Sequence, residues 1–187
     1  ELRDMMNFAI TLNKPVVIRY PRGGEAKEKF ITHTQIQYKK SETLTIGKDV
    51  TIVAIGNQVS KAMNVFRKLK EVNIKAEVIN ARFLKPFDKY AVLKSINKTH
   101  FVITLEDNSL VGGLGAEVKE IIAEKHLQNV RVRNFGYPDV FVEHGTTQEL
   151  EKKYKVDENS VFNYIKSEID YKNKKSRPLQ KRERTAR

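Results

Sequence analysis

The chain has 187 residues, with 35 Lys+Arg, 23 Asp+Glu and no cysteine or tryptophan. This length suits one domain with an appendage, and the lack of cysteine excludes disulfides, thiolate metal sites and cysteine nucleophiles. The longest apolar runs are far shorter than the roughly 20 residues of a membrane-spanning helix, so we expect neither a membrane span nor a signal peptide. Because the chain opens on Glu1 rather than methionine, we interpret it as a piece of a longer protein.

Half of the net charge of +12 lies in the last 18 residues, 170–187, which hold eight basic and two acidic side chains. This segment has almost nothing apolar to bury, so we expect a solvated basic tail that is helical only where it continues a preceding helix. A nucleic-acid-binding arm is the alternative. It is disfavoured because no aromatic side chain follows Tyr171 for stacking on bases.

Residues 1–24 are predicted to form a helix followed by a strand. Apolar residues recur at helical spacing up to Pro15, which disfavours helix in the residue before it. The run from Val16 to Tyr20 is β-rich and is closed by a glycine pair. Residues 25–42 are polar without a sustained period, which is typical of a linker with at most one edge strand.

The body of the chain, residues 43–169, is predicted to alternate strands with helices. Strands are expected at 51–55, 76–80, 101–105 and 130–135, and helices at 59–72, 90–96, after the glycines at 112–115, and as a final pair capped by Thr146 or Thr147. Glu149 and Glu151 suit the first turn of that pair. Strands separated by helices imply right-handed crossovers, so we expect an α/β fold with three layers, a mostly parallel sheet and helices on both faces.

The turn Gly112-Gly113-Leu114-Gly115 follows a strand and precedes a helix. Its backbone N–H groups could bind an anion at the helix N-terminus, or its glycines could let the helix approach a neighbouring element closely. The turn matches neither the dinucleotide-binding fingerprint nor the P-loop. Close packing is therefore the favoured interpretation.

Two pairs of adjacent titratable residues, Glu106-Asp107 and Glu143-His144, are candidates for a metal site or an acid/base pair. Adjacent residues on a strand point to opposite faces, so Glu106 and Asp107 are not expected to converge. The four histidines lack the spacing of metal ligands. They are His33, His100, His126 and His144. We therefore predict no metal site.

Arg19 and Arg22 stand at the carboxyl end of the predicted strand at 16–20, on either side of Tyr20-Pro21. Two arginines beside a proline turn suit a phosphate or carboxylate, and ligands bind at this end of parallel sheets. A salt bridge between domains is an equally open alternative on spacing alone.

Four segments together, 19–23, 80–88, 105–115 and 136–145, resemble the 1-deoxy-D-xylulose-5-phosphate synthase family. The resemblance covers roughly residues 1–168 in the right order. It implies the end of a pyrimidine-binding domain (1–24), a linker (25–42) and a transketolase C-terminal domain (43–169), followed by the basic tail (170–187).

The resemblance implies a transferase that joins pyruvate, decarboxylated on thiamine diphosphate with Mg²⁺, to glyceraldehyde 3-phosphate with release of carbon dioxide. The product feeds isoprenoid, thiamine and pyridoxal synthesis. Such an enzyme is expected as a cytoplasmic homodimer, or in a plastid or apicoplast of a eukaryote. Arg22 matches the family position that contacts the substrate phosphate, and Arg19 is a possible supporting residue.

The family's cofactor motif, Gly-Asp-Gly followed later by Asn, does not occur in this chain, nor do the catalytic histidines and glutamate of the earlier domains. We therefore expect no catalytic, cofactor-binding or metal-binding residue here. The chain alone is expected to be inactive, to serve dimerisation and active-site shaping, and to work with the remaining domains of the synthase.

Two further interpretations stay open. Segments 49–54 and 77–82 also resemble the β subunit of 2-oxoacid dehydrogenases. A stand-alone, non-catalytic interaction module is the other.

Overall fold

The computed structural model describes residues 1–21 and 34–175. The elements in these residues are α1 (Leu2–Thr11), β1 (Glu42–Thr43), β2 (Val50–Ala54), α2 (Gln58–Glu71), β3 (Ala76–Asn80), α3 (Lys89–Thr99), β4 (Phe101–Ser109), α4 (Leu114–Glu124), β5 (Arg131–Tyr137), α5 (Thr147–Lys153) and α6 (Glu158–Lys175). The strands and helices predicted between residues 43 and 169 are confirmed. The largest difference is β4, which continues to Ser109 instead of ending at Leu105.

The five strands form one sheet in the order β1-β3-β2-β4-β5. Strands β2 to β5 run parallel, and β1 is an outermost strand that pairs antiparallel with β3. Val53 in the centre of the sheet lies opposite Ile79 on one side and Thr104 on the other. The predicted α/β class with a mostly parallel sheet is confirmed.

Helices cover both faces of the sheet, so the predicted three layers are present. All residues of β2 and β3 are buried, as expected for parallel strands packed on both faces. One face packs against α2 and α6, and its core consists largely of Ile52, Phe101, Ile103, Leu69, Val161 and Ile165. The other face packs against α3 and α4, and its core includes Val53, Ile79, Val102, Ile96, Leu114 and Val118.

Helix α5 begins with a side-chain cap, and an ion pair with a buried lysine joins it to α2. Thr146, the first of the two threonines predicted as caps, forms a capping box with Glu149 at the start of α5. Glu151 instead contacts α2, where Lys61 Nζ lies 2.9 Å from its Oε1 and 2.7 Å from the Val156 carbonyl. The Lys61 side chain is buried, so these two contacts satisfy a charge that has left water.

The predicted strand from Val16 to Tyr20 is wrong, whereas the preceding helix is confirmed as α1. A strand requires a neighbouring strand to share its backbone hydrogen bonds, and no strand of the described residues pairs with this segment. Its apolar side chains face outward instead, and Val17 is 96% exposed. Residues 22–33, which include the first half of the predicted linker, lie outside the described residues, and β1 starts at Glu42 where that linker ends.

Helix α6 continues through residues 170–175, in agreement with the expected continuation of a helix into the basic tail. Residues 176–187 lie outside the described part of the chain. Across residues 1–21 and 34–175, no helix combines the length and apolar character needed to cross a bilayer.

Candidate functional site

The carboxyl ends of β2, β4 and β5 meet at one edge of the sheet, the usual place for ligands in open α/β sheets. Arg19 lies at this edge, where its Nη2 donates a hydrogen bond of 2.8 Å to the main-chain carbonyl of Asp107. The segment before Arg22 is therefore attached to β4. Arg22 itself lies outside the described residues, and its role as a phosphate contact stays a prediction.

Glu106 is a buried carboxylate at the same edge, with 4% of its surface exposed. Its two oxygens accept hydrogen bonds from the backbone N–H groups of Leu114, at 2.8 Å, and Gly115, at 2.9 Å. Burial raises the pKa of Glu106, although these N–H groups and the charge of Arg19 act in the opposite direction. The anion at the N-terminus of α4 is thus a side chain of the protein itself.

Two glycines of the turn allow this approach between α4 and the sheet. A Cβ atom added to Gly113 would lie 1.9 Å from Oε2 of Glu106, and one added to Gly115 would lie 2.2 Å from Nδ2 of Asn134. Both alternatives considered for the turn therefore hold in part, because it packs closely and its N–H groups bind an internal carboxylate.

Asp107 points away from Glu106 and contacts the turn between β2 and α2. Its Oδ2 accepts a hydrogen bond of 2.9 Å from Nδ2 of Asn57. The prediction that Glu106 and Asp107 do not converge is confirmed, and they do not form an acid/base pair.

The Glu143-His144 pair lies in an exposed loop after β5. The Glu143 carboxylate binds Lys153 Nζ and, at 2.8 Å, the Tyr154 hydroxyl, and chiefly the Lys153 bond lowers its pKa to about 2. His100 directly follows α3, and His126 lies two residues after the end of α4, whereas His33 lies outside the described residues. Within residues 1–21 and 34–175, no three His, Asp or Glu side chains are grouped to hold a metal ion.

One polar cluster was not predicted from the sequence. The Arg82 side chain is 2% exposed, and it lies 2.8 Å from Glu1 and 2.6 Å from Glu42. Asn80 also donates to Glu1, at 2.9 Å. The cluster joins α1, β1 and the end of β3, and its only signal in the sequence is a single arginine shortly after a buried strand, a pattern that many exposed loops share.

The chain matches the family model of the transketolase C-terminal domain over residues 39–161. It is 44% identical over 163 residues to a 1-deoxy-D-xylulose-5-phosphate synthase of Halothermothrix orenii, covering 87% of this chain and 26% of that protein. A protein of the same name from Desulforudis audaxviator is 38% identical over 171 residues, covering 90% and 27%. The chain therefore spans about a quarter of the length of these relatives, and the resemblance seen in the sequence is confirmed.

Solved structures show the same fold. A chain described as "Split gene transketolase, inactive beta4 tetramer" superposes with a TM-score of 0.80 at 33% identity, over 90% of this chain and 54% of that chain. A transketolase mutant of Pichia stipitis, R525L, gives a TM-score of 0.51 at 22% identity, over 71% and 18% of the two chains. The second similarity concerns the fold alone.

Proposed function

The chain belongs to the transketolase C-terminal domain family, and we propose that it is the carboxyl-terminal part of a 1-deoxy-D-xylulose-5-phosphate synthase. The intact enzyme would join pyruvate to glyceraldehyde 3-phosphate with release of carbon dioxide, and its product would feed isoprenoid, thiamine and pyridoxal synthesis. It would act in the cytoplasm, or in a plastid or apicoplast of a eukaryote. The names of the curated relatives favour this synthase over the β subunit of a 2-oxoacid dehydrogenase.

The contact between Arg19 and the Asp107 carbonyl carries the proposal for the site. It attaches the segment that leads to Arg22 to the sheet edge where α/β proteins bind ligands. Arg22 follows Arg19 by three residues in the sequence. In this proposal Arg22 contacts the phosphate of glyceraldehyde 3-phosphate, and Arg19 supports it.

The residues of this chain do not fit the thiamine diphosphate and Mg²⁺ of the intact enzyme. Within the described residues no group of side chains could ligate the metal, and the one buried carboxylate at the edge, Glu106, is already bound to α4. We therefore assign both cofactors to the remaining domains, and the chain alone would be inactive. The related split-gene transketolase chain, whose tetramer of beta subunits is described as inactive, supports this proposal.

We also propose that the intact protein is a homodimer in which this chain takes part. The loop after β5 supports an interface, because Phe141 is fully exposed and Val140 is 57% exposed. Exposed apolar side chains that lie next to each other are typical of surfaces covered by another part of an assembly. A stand-alone interaction module would use the same loop. That interpretation gives no function to the contact between Arg19 and the Asp107 carbonyl.

The phosphate contact can be tested in a full-length synthase that carries this chain as its carboxyl-terminal part. A charge-assisted hydrogen bond is worth about 1.5–3 kcal/mol, so Arg22→Ala is expected to raise the KM for glyceraldehyde 3-phosphate by about 10- to 100-fold. The KM for pyruvate should not change. Steady-state kinetics with each substrate varied in turn measure both constants.

Lys14→Ala is the matched control, because Lys14 is an exposed cation a few residues earlier in the same segment. It should leave both constants unchanged. A wild-type KM for glyceraldehyde 3-phosphate in Arg22→Ala would remove the proposed phosphate contact.

A further inference from the structure

Strand β4 contains a bulge where it reaches the candidate site. Leu105 pairs with Phe135 and Ser109 pairs with Tyr137, so four steps along β4 match two steps along β5. Residues 106–108 lie opposite Gly136 alone, so β4 has two extra residues here, and carbonyl groups that leave the regular ladder can bond outside the sheet. The Asp107 carbonyl does so when it accepts the hydrogen bond from Arg19.

Side chains hold this bulge from both faces of the sheet. On one face, Glu106 binds the first N–H groups of α4 at 2.8 and 2.9 Å. On the other face, Asn57 binds the carboxylate of Asp107 at 2.9 Å. We call Glu106, Asp107 and Asn57 the bulge clamp.

We propose that Glu106 and Asn57 are positioning residues that hold the Asp107 carbonyl where Arg19 binds it, and so place the segment leading to Arg22. The inference rests on the proposed function insofar as it assigns Arg22 to a substrate phosphate. The placement of Arg19 is a separate, physical claim about this chain.

The need for a clamp follows from the kind of contact that Arg19 makes. A carbonyl in a bulge has no ladder partner to fix its direction, and the strength of a hydrogen bond depends steeply on angle and distance. A neutral carbonyl also attracts a guanidinium less strongly than a carboxylate would. The position of Arg19 therefore depends on how rigidly residues 106–108 are held.

The placement of Arg19 can be measured in the 187-residue chain without any enzymatic activity. Trypsin must bind the Arg19 side chain to cleave after it, which requires the hydrogen bond to the Asp107 carbonyl to break, so the initial cleavage rate at this bond reports the population of the detached state. Loss of one clamp contact in Asn57→Ala is expected to raise this rate by about fivefold. Glu106→Gln is expected to do the same.

Two variants serve as controls for a merely structural effect. Asn64→Ala removes a similar amide–carboxylate contact from α2, the bond of 2.6 Å to Glu158, far from the bulge. Thr146→Ala removes a helix cap, that of α5. Neither should change cleavage after Arg19. If trypsin cleaves Asn57→Ala after Arg19 at the wild-type rate, or no faster than it cleaves Asn64→Ala, the clamp is refuted. This holds even if Glu106→Gln fails to fold.

A second arm in the full-length synthase separates the clamp from the proposed function. Asn57→Ala should raise the KM for glyceraldehyde 3-phosphate several-fold without changing kcat or the KM for pyruvate. With glyceraldehyde, which lacks the phosphate, it should behave as the wild type. The effect should disappear in an Arg19→Ala background, because the clamp acts through Arg19.

The outcomes are distinguishable. An additive effect of Asn57→Ala and Arg19→Ala would overturn the clamp while leaving the phosphate contact intact. A wild-type KM for glyceraldehyde 3-phosphate in Arg22→Ala would overturn the phosphate contact. The cleavage rates would still decide whether the clamp places Arg19.

Discussion

Two side chains on neighbouring strands each have a buried polar atom without a hydrogen-bond partner in the described structure. The atoms are Oγ1 of Thr104 and Oδ1 of Asn134, whose residues occupy paired positions on β4 and β5. A buried polar group without a partner costs about 1–3 kcal/mol of stability. Thr51 on β2 offers the contrast, because its hydroxyl is equally buried but bonds Ser95 and Thr99, each at 2.7 Å.

Thr104→Val is therefore expected to stabilise the chain by about 1 kcal/mol, because it replaces an unpaired hydroxyl by a methyl group of similar size. Thr51→Val should destabilise it by about 1–3 kcal/mol, because Ser95 and Thr99 each lose one buried hydrogen-bond partner. The free energy of unfolding from urea titration of both variants measures the difference. A loss of stability in Thr104→Val would mean that the Thr104 hydroxyl has a partner after all.

At the scale of elements, the contact between α4 and β4 depends on glycine. The Cβ position of Gly113 is occupied by the Glu106 carboxylate, whereas a Cβ at Gly112 would meet nothing within 4 Å. Gly112 has a φ of +69°, which other residues adopt at a cost. A substitution at Gly113 therefore tests steric contact, and one at Gly112 tests backbone strain.

Gly113→Ala is expected to lower the free energy of unfolding by about 2–3 kcal/mol, since the added methyl group displaces a buried carboxylate from its two N–H donors. Gly112→Ala should cost only about 1 kcal/mol, from its left-handed backbone alone. Urea titration of the two variants side by side provides the measurement. Equal losses in both variants would contradict the role assigned to Glu106.

The elements of the body follow from local patterns. Short apolar runs predict the bounds of β2 and β3, and apolar residues at helical spacing predict those of α2, each to within about one residue. Thr146 caps α5 as its sequence context predicts. These features depend on neighbours in sequence, which is why periodicity and capping rules find them. The candidate site depends on residues far apart in the chain.

Contacts of that kind explain what the sequence did not predict. Arg82 meets Glu1 and Glu42, and Arg19 meets Asp107, only when segments that are distant in the sequence come together in the fold. The strand expected at 16–20 fails for the related reason that a β-rich run is not a strand until another strand pairs with it. Arg22 was singled out by its position beside a proline turn, its role as a contact for the substrate phosphate came from the resemblance, and that role awaits its test.

At the scale of the whole molecule, the apolar surface is unevenly distributed. The core between the two helical layers is closed, with Phe101, Ile52 and Leu69 fully buried. In contrast, Ile10, Val17 and Phe141 are 81% exposed or more. The first two lie in the segment before the predicted linker, where the resemblance places the end of another domain. This distribution fits a part of a larger enzyme that is covered by its other domains or by a second subunit.

The most direct test of this account is an assay of the 187-residue chain alone. The chain is incubated with thiamine diphosphate, Mg²⁺, pyruvate and glyceraldehyde 3-phosphate, and the formation of 1-deoxy-D-xylulose 5-phosphate is followed beside a full-length synthase as positive control. We expect product from the full-length enzyme and none from the chain, because our proposal assigns the chain a phosphate contact and a supporting role and assigns both cofactors to the remaining domains. Product formed by the chain alone would contradict the account.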